Sequence, residues 1–366
     1  MNKTKKIMSL LYIIFIVICS TTCQIKGSQN DDFVIEQKDK NIILVDYKGK
    51  SEDVTIPNNV TYIGKNAFKA CKNIINLVIP NSVTKIDEGA FSLCVNLKNI
   101  TMPNSIMNIE YGTFYYCKSL TNITIPTSIK KIGESAFESC SSLTNITIPD
   151  SVTYIGKGAF AWCKSLKSVK ISNSVKNIGD DSFTGCTSLI TITIPKTVTN
   201  IGDRAFFTCD GLTSIDVEDG NLNYLSIDGV LFSKNKKTLI QFPASKEVDT
   251  YIIPKGVKEI DNSSFYNSKL LTDIIIPNTV TFIGPLAFCY CTGLTSITIP
   301  NGVTYISGYA FNECINLEKI TIPKSVKNVS EDIFAFKSCP KLTIYGYKGS
   351  YIEKFCKENQ VPFKAI

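Results

Sequence analysis

The chain has no histidine at all. That removes the commonest general base, the commonest zinc ligand, and every serine–histidine or cysteine–histidine nucleophile pair. Arginine is nearly absent too: Arg204 is the only one, and the other basic residues are lysines. Arginine is the preferred fork for phosphates and base edges, so its scarcity argues against a nucleic-acid partner. Net charge argues the same way. It is +7 over 366 residues, and Lys3, Lys5 and Lys6 supply three of those charges within an acid-free leader. The remaining excess of four suits solubility rather than a polyanion partner. There is no phosphate-binding loop of the P-loop kind. Acid pairs such as Asp87-Glu88 and Asp180-Asp181 are adjacent in turns and read as solvated surface. No catalytic residue, cofactor site or metal site is expected.

Only one apolar run is long, from Ile7 to Ile18 after the basic start. It is too short to span a bilayer comfortably and suits the core of a signal peptide, with cleavage after the small residues Ser20 and Thr22. Residues 1–28 are therefore read as a signal region and the protein as secreted or cell-surface. Cys19 and Cys23 raise a lipoprotein alternative, but neither has a good lipobox: Ile18 is too large beside Cys19, and Ser20 is not the aliphatic residue expected three before Cys23. An uncleaved anchor is the third reading. Membrane contact is expected only through such a lipid or anchor.

What the chain has in abundance is repetition. Phenylalanine recurs every 23 residues at Phe68, Phe91, Phe114, Phe137, Phe160, Phe183 and Phe206, and again at Phe265, Phe288, Phe311 and Phe334. Cysteine keeps the same step from Cys71 to Cys209 and at Cys291 and Cys314. Ser268 takes one cysteine position, and Cys339 falls two residues late. One unit runs from Cys117 through Leu120, Ile123, Ile125, Pro126, Ser128, Ile129, Ile132 and Gly133 to Ala136-Phe137. The β-branched stretch with period 2 predicts a short strand with Ile123 and Ile125 inward, ended by proline. A second short extended piece follows, then a turn allowed by Gly133 and a helical or 3₁₀ turn at Ala136-Phe137. No unit buries enough to fold alone, so the units must stack into a continuous core. Eleven coils at about 4.8 Å each give a rod or arc on the order of 50 Å long.

The motif Gly-x-x-Ala-Phe-x-x-Cys-x-x-Leu-x-x-Ile-x-Ile-Pro-x-Ser-Val-x-x-Ile-Gly resembles the BspA-like class of leucine-rich repeats, over roughly Asp53 to Tyr345. The resemblance implies an α/β repeat solenoid, β-rich, with about eleven coils and a parallel sheet. It also implies a secreted or surface protein; some members bind host matrix proteins or other cells. It supplies no catalytic or ligand-binding residue to carry over.

The expected organisation is a signal region (1–28), an N-terminal hairpin cap (29–52), repeats (53–217), an inserted hairpin island (218–252), repeats (253–346) and a C-terminal cap (347–366). The alternating pattern of 33–50 predicts the hairpin, and Ile352, Phe355 and Cys356 after Ser350 predict a capping helix. The island accounts for the 59-residue step from Phe206 to Phe265, and it reads either as an excursion pairing with the solenoid sheet or as a binding feature. Cysteines repeated once per coil point inward in parallel at strand spacing, whereas a disulfide needs Cβ atoms about 3.8 Å apart and turned toward each other. They are expected to form a buried thiol ladder of small hydrophobes. Cys289 and Cys356 lie off the ladder and are the thiols expected to react or pair.

Two surfaces are candidate ligand sites. The outward strand positions form a neutral grid that includes Asn99, Thr101, Asn122, Thr124, Asn145 and Thr147. Aromatic residues follow the repeat phenylalanines, among them Tyr116 and Trp162, with Tyr115, Phe207, Tyr266 and Tyr290. Threonine is a good exposed strand residue in any case, while exposed aromatics are enriched at interfaces. The leading functional reading is an interaction or adhesion module for a protein or repeated polymer. The alternatives are a structural spacer and, least supported, a hydrolase on the same scaffold.

Overall fold

The computed structural model describes residues 31–330 and 333–366. The signal region with Cys19 and Cys23 lies outside the described residues.

Each repeat forms one three-sided coil, and the sequence dictates the sides in turn. The Asn-Ile-Thr segment makes a strand of the first parallel sheet; Asn145–Thr147, for example, pairs residue for residue with Ser168–Lys170. Its outward polar residues flank an inward isoleucine, the period-2 pattern of a half-buried strand. After proline the chain bends into a two-residue strand of the second parallel sheet, as at Lys131–Ile132 beside Tyr154–Ile155. The third side is a turn whose N–H groups alternate between partners. The Phe137 and Ser139 N–H groups donate to Ala159 and Ala161 of the next coil (2.8 and 2.7 Å), while Glu138 and Cys140 donate back to Ser135 and Phe137. The expected 3₁₀ or helical turn is thus shared with the neighbouring coil. The protein is a β-solenoid of about 14 turns with little helix; the caps and the insert add turns to the eleven repeat units.

Gly133 does not supply an unusual backbone angle. A Cβ there would lie 2.8 Å from the Glu110 carbonyl carbon and from the Ile109 oxygen, so the glycine permits close coil-to-coil approach. The left-handed backbone positions are two others in the same turn, Ser135 and Ser139.

The core is a phenylalanine stack. Ring centroids from Phe68 to Phe206 lie 5.2 to 6.0 Å apart, with the middle rings nearly parallel. Tyr47, at the end of the hairpin strands Phe33–Lys38 and Asn41–Tyr47, continues the stack onto Phe68 and closes it. Cys94 and its successors to Cys209 are buried and unpaired, and each thiol donates to the carbonyl of a phenylalanine in the preceding coil, as Cys140 Sγ does to Phe114 O at 3.2 Å. They are therefore weak hydrogen-bond donors as well as small apolar fillers. Burial pushes these thiols up, Cys117 to about 12. Cys289 and Cys356 are equally buried, so the off-ladder thiols are not the accessible ones. The half-exposed thiols are Cys71 and Cys339, at the two ends of the ladder.

Two expectations are corrected here. Phe334 is not on the stack; Phe336 is, 5.9 Å from Phe311, while Phe334 lies against Tyr309. The two extra residues are absorbed before the phenylalanine, which restores the normal three-residue step to Cys339. Residues 122–124 do not form a strand, and Ile123 is only half-buried, so the first sheet is interrupted between Asn99–Thr101 and Asn145–Thr147. Beyond the capping helix Tyr351–Glu358, Phe363–Ala365 adds a parallel strand beside Thr343–Gly346.

The insert is more than an excursion. Its strands Tyr224–Ile227, Val230–Ser233 and Thr238–Gln241 form an antiparallel meander, and the last pairs in parallel with Glu259–Ile260. Phe242 then stacks on Phe265 at 5.1 Å, as Tyr47 does on Phe68. The insert thus repeats the N-terminal cap's construction and starts a second stack. The buried side chains accordingly fall into two clusters that meet there. Buried Asn221 clamps it to the preceding coil, donating to Pro195 O and Val198 O and accepting from the Asn223 and Tyr224 N–H groups.

Candidate functional site

Asn99, Thr101, Asn122, Thr124, Asn145 and Thr147 all lie exposed on the first-sheet face of three successive coils. Alternation puts them there, because the isoleucine between each pair points inward. Part of their hydrogen-bonding capacity is already used. The Asn99 amide donates to Asn76 Oδ1 (2.7 Å), Asn76 donates to Asp53 Oδ1 (2.6 Å), and Ser168 Oγ donates to Asn145 Oδ1 (2.8 Å). Asn99 and Asn145 are therefore held in place, which lowers the side-chain entropy they lose on contact with a ligand. The break at 122–124 divides this surface into segments.

Tyr116 and Trp162 are not on that face. They occupy the turn side two coils apart, both with left-handed backbone angles (φ 62° and 61°). A large side chain there is strained. Trp162 is 42% exposed, with one ring face laid over Gly185, where a Cβ would come within 2.4 Å of the indole. Lys118 sits over Tyr116 at 4.2 Å and Tyr115 packs beside it. Farther along, Phe207, Tyr266 and Tyr290 run edge to edge at 4.5 and 5.6 Å. The aromatic residues of the turn side thus fall into several separate groups rather than one stripe.

The outward column of the second sheet escaped sequence reasoning. Tyr62 is paired with Lys85, and Lys131 with Tyr154; each lysine lies 5.1 Å from the tyrosine ring. The Tyr62 hydroxyl donates to Asp87 Oδ2 at 2.5 Å. Burial raises the tyrosine, helped by this bond. Burial also acts to raise Asp87, but the Tyr62 bond, the Glu88 N–H and Lys85 outweigh it and hold the carboxyl below its usual range. The signal was the position before each inward isoleucine of the second strand, whose residue type varies from coil to coil. Among the described residues no set of acids and thiols converges to hold a metal ion, and no helix is long and apolar enough to cross a membrane.

These coils are those of a leucine-rich-repeat solenoid, and the chain belongs to the BspA type leucine rich repeat region family, which matches residues 46–167, 130–253 and 240–343. It is similar to a leucine rich cell surface protein from Faecalibacterium prausnitzii A2-165 (30% identity, 90% of this chain and 96% of that one, TM-score 0.74). A leucine-rich repeat protein from Bacteroides ovatus ATCC 8483 matches at 27% identity over 93% and 100% of the chains, with TM-score 0.59. The pneumococcal vaccine antigen PcpA, at 22% identity over 93% and 98%, with TM-score 0.63, shares the fold. No curated protein sequence matches.

Proposed function

We propose that this protein is an exported, cell-surface interaction module that holds a protein-sized or repeated polymer ligand against the first-sheet face. The observation that carries the reading is the row of exposed, uncharged Asn and Thr residues on successive coils, on a family fold whose structural relatives include a surface protein. Such a face gains little from long-range steering, so capture depends weakly on salt. Its affinity comes from many modest hydrogen bonds across several coils. No catalytic step is part of this function.

The test is capture of a stoichiometric ligand from host extract by the mature chain, identified by mass spectrometry and repeated with Thr124→Glu plus Thr147→Glu. Loss of capture by the folded double variant supports the grid; undiminished capture refutes it. A spacer without a ligand captures nothing at stoichiometric ratio. The insert cannot be tested by deletion, because Val230, Leu231 and Phe232 are fully buried. Leu222→Asp, at a position 82% exposed, probes its surface instead. Export predicts a mature N-terminus after residues 18–28, or a diacylglyceryl mass on Cys19 or Cys23 if the lipoprotein route is used.

A further inference from the structure

The insert leaves an opening where the two stacks meet. Phe206 ends the first and Phe242 begins the second; among the described rings, each stacks only within its own half. The second sheet breaks at the same level. Strand Asn200–Ile201 pairs with Asn177–Ile178 on one side only, and the Ile201 N–H donates to the Tyr224 hydroxyl at 2.9 Å instead of to a following strand. Between the halves lies a cleft of about 230 Å³, lined by Asp203, Arg204, Tyr224, Thr238, Gln241 and Asp261 among others. A cavity of about 330 Å³ shares Asp203, Arg204 and Asn262 with it and adds Ser263.

Several groups here break local rules at once. Gln241 is only 9% exposed, and its Nε2 donates to Phe242 O and Ser264 O. Ser263 is 2% exposed and its hydroxyl is unpartnered. Buried polar groups are ordinarily satisfied, so each unpaired one calls for a cause. Asp261 accepts the Asn262 N–H on Oδ1 (2.8 Å). Arg204 is the only arginine of the chain. It pairs with Asp181 at 3.0 Å and lies over the Phe207 ring.

The chemistry selects a ligand class. Residues that can accept (Asp203, Asp261, Gln241) and residues that can donate (Arg204, Asn262, Tyr224) line one cleft. Two carboxylates against one guanidinium, itself paired with Asp181, leave the first cleft net negative, which disfavours an anionic ligand. A volume below the roughly 300–1,000 Å³ of drug-sized pockets suits a single ring. Hydroxyls that both donate and accept match this mixed lining. We propose that the junction cleft is a saccharide site that takes one pyranose unit, either as a free sugar or as the end of a glycan. This site is separate from the first-sheet grid.

The test is saturation-transfer NMR on the full exported chain with glucose, galactose, mannose, fucose and N-acetylglucosamine in turn. At least one is expected to give saturable transfer. Asp203→Asn and Asp261→Asn should each weaken its Kd about tenfold, the cost of losing a charged hydrogen-bond acceptor. Thr124→Glu plus Thr147→Glu should leave it unchanged, so the two sites fail independently. Burial raises the Asp261 carboxyl, so Asp261→Asn removes a desolvated charge and should leave the melting temperature equal or higher. Loss of sugar without loss of stability thus marks a binding role. An oligosaccharide ending in the bound sugar identifies a glycan end if it binds more tightly, and a free-sugar site if it does not. Absence of saturable transfer with all five sugars, or transfer untouched by both aspartate changes, overturns the proposal.

Discussion

Phe137→Ala probes the stacking principle most directly. The ring is fully buried, with Phe114 and Phe160 at 5.2 and 5.3 Å on its two faces and interplanar angles of 12° and 3°. Removing it leaves a cavity between coils that cannot close, because the turn hydrogen bonds from Phe137 and Ser139 to the next coil hold the spacing. Buried Phe→Ala changes cost about 3–5 kcal/mol, and the loss of two stacking partners puts this one toward the upper end. With a urea slope of about 3 kcal/mol per M, the midpoint falls by roughly 1 to 1.7 M. Trp162, the only tryptophan, lies in the adjoining coil and reports the transition by fluorescence. In a solenoid, energies are passed chiefly between neighbours. Phe288→Ala, in the second core, should therefore shift the Trp162 signal less than Phe137→Ala does. A Phe137→Ala shift under about 0.3 M, roughly 1 kcal/mol, would refute a close-packed stack.

Three further outcomes are expected. Ser268 is 1% exposed with an unpartnered hydroxyl at a cysteine position, so Ser268→Cys should restore the ladder bond and stabilise by about 1 kcal/mol; a lowered melting temperature would contradict this. Thiol titration of the native protein should label Cys71 and Cys339 first and the interior thiols only on unfolding; rapid labelling throughout, or disulfide-linked ladder masses, would sink the ladder reading. Asp87 is held below its ordinary value when folded, so its stabilisation is present above the unfolded pKa and lost as pH falls through the lower folded one. Asp87→Asn should accordingly flatten the decline in melting temperature below about pH 4, and an unchanged acid limb would argue against the Tyr62–Asp87 bond.

Much of this architecture was legible because it is periodic. A Phe and a Cys every 23 residues cannot alternate between core and solvent without exposing half of them, so stacking in register was the only economical fold. The exposure of Asn99, Thr101, Asn145 and Thr147 followed from strand alternation alone. The aromatic positions were harder to read. Tyr116 and Trp162 were read as a second surface beside the grid, and a three-sided coil places them on the turn side. Proximity in sequence does not report which side of a bend a residue occupies.

By itself, then, the order of residues determined the coil, its inward Phe, Cys, Leu and Ile positions, and its polar strand face, since each is set by local periodicity repeated many times. Tertiary structure decided what occurs only once. Whether two spare residues fall before or after a phenylalanine depends on which register packs better, and Phe336 rather than Phe334 reached the stack. Whether the insert loops out or starts a second stack depends on a strand partner 21 residues away, and Thr238–Gln241 found Glu259–Ile260. The cleft with Arg204, Gln241 and Asp261 exists because two stacks meet without merging, and no repeat in the sequence describes a gap between them.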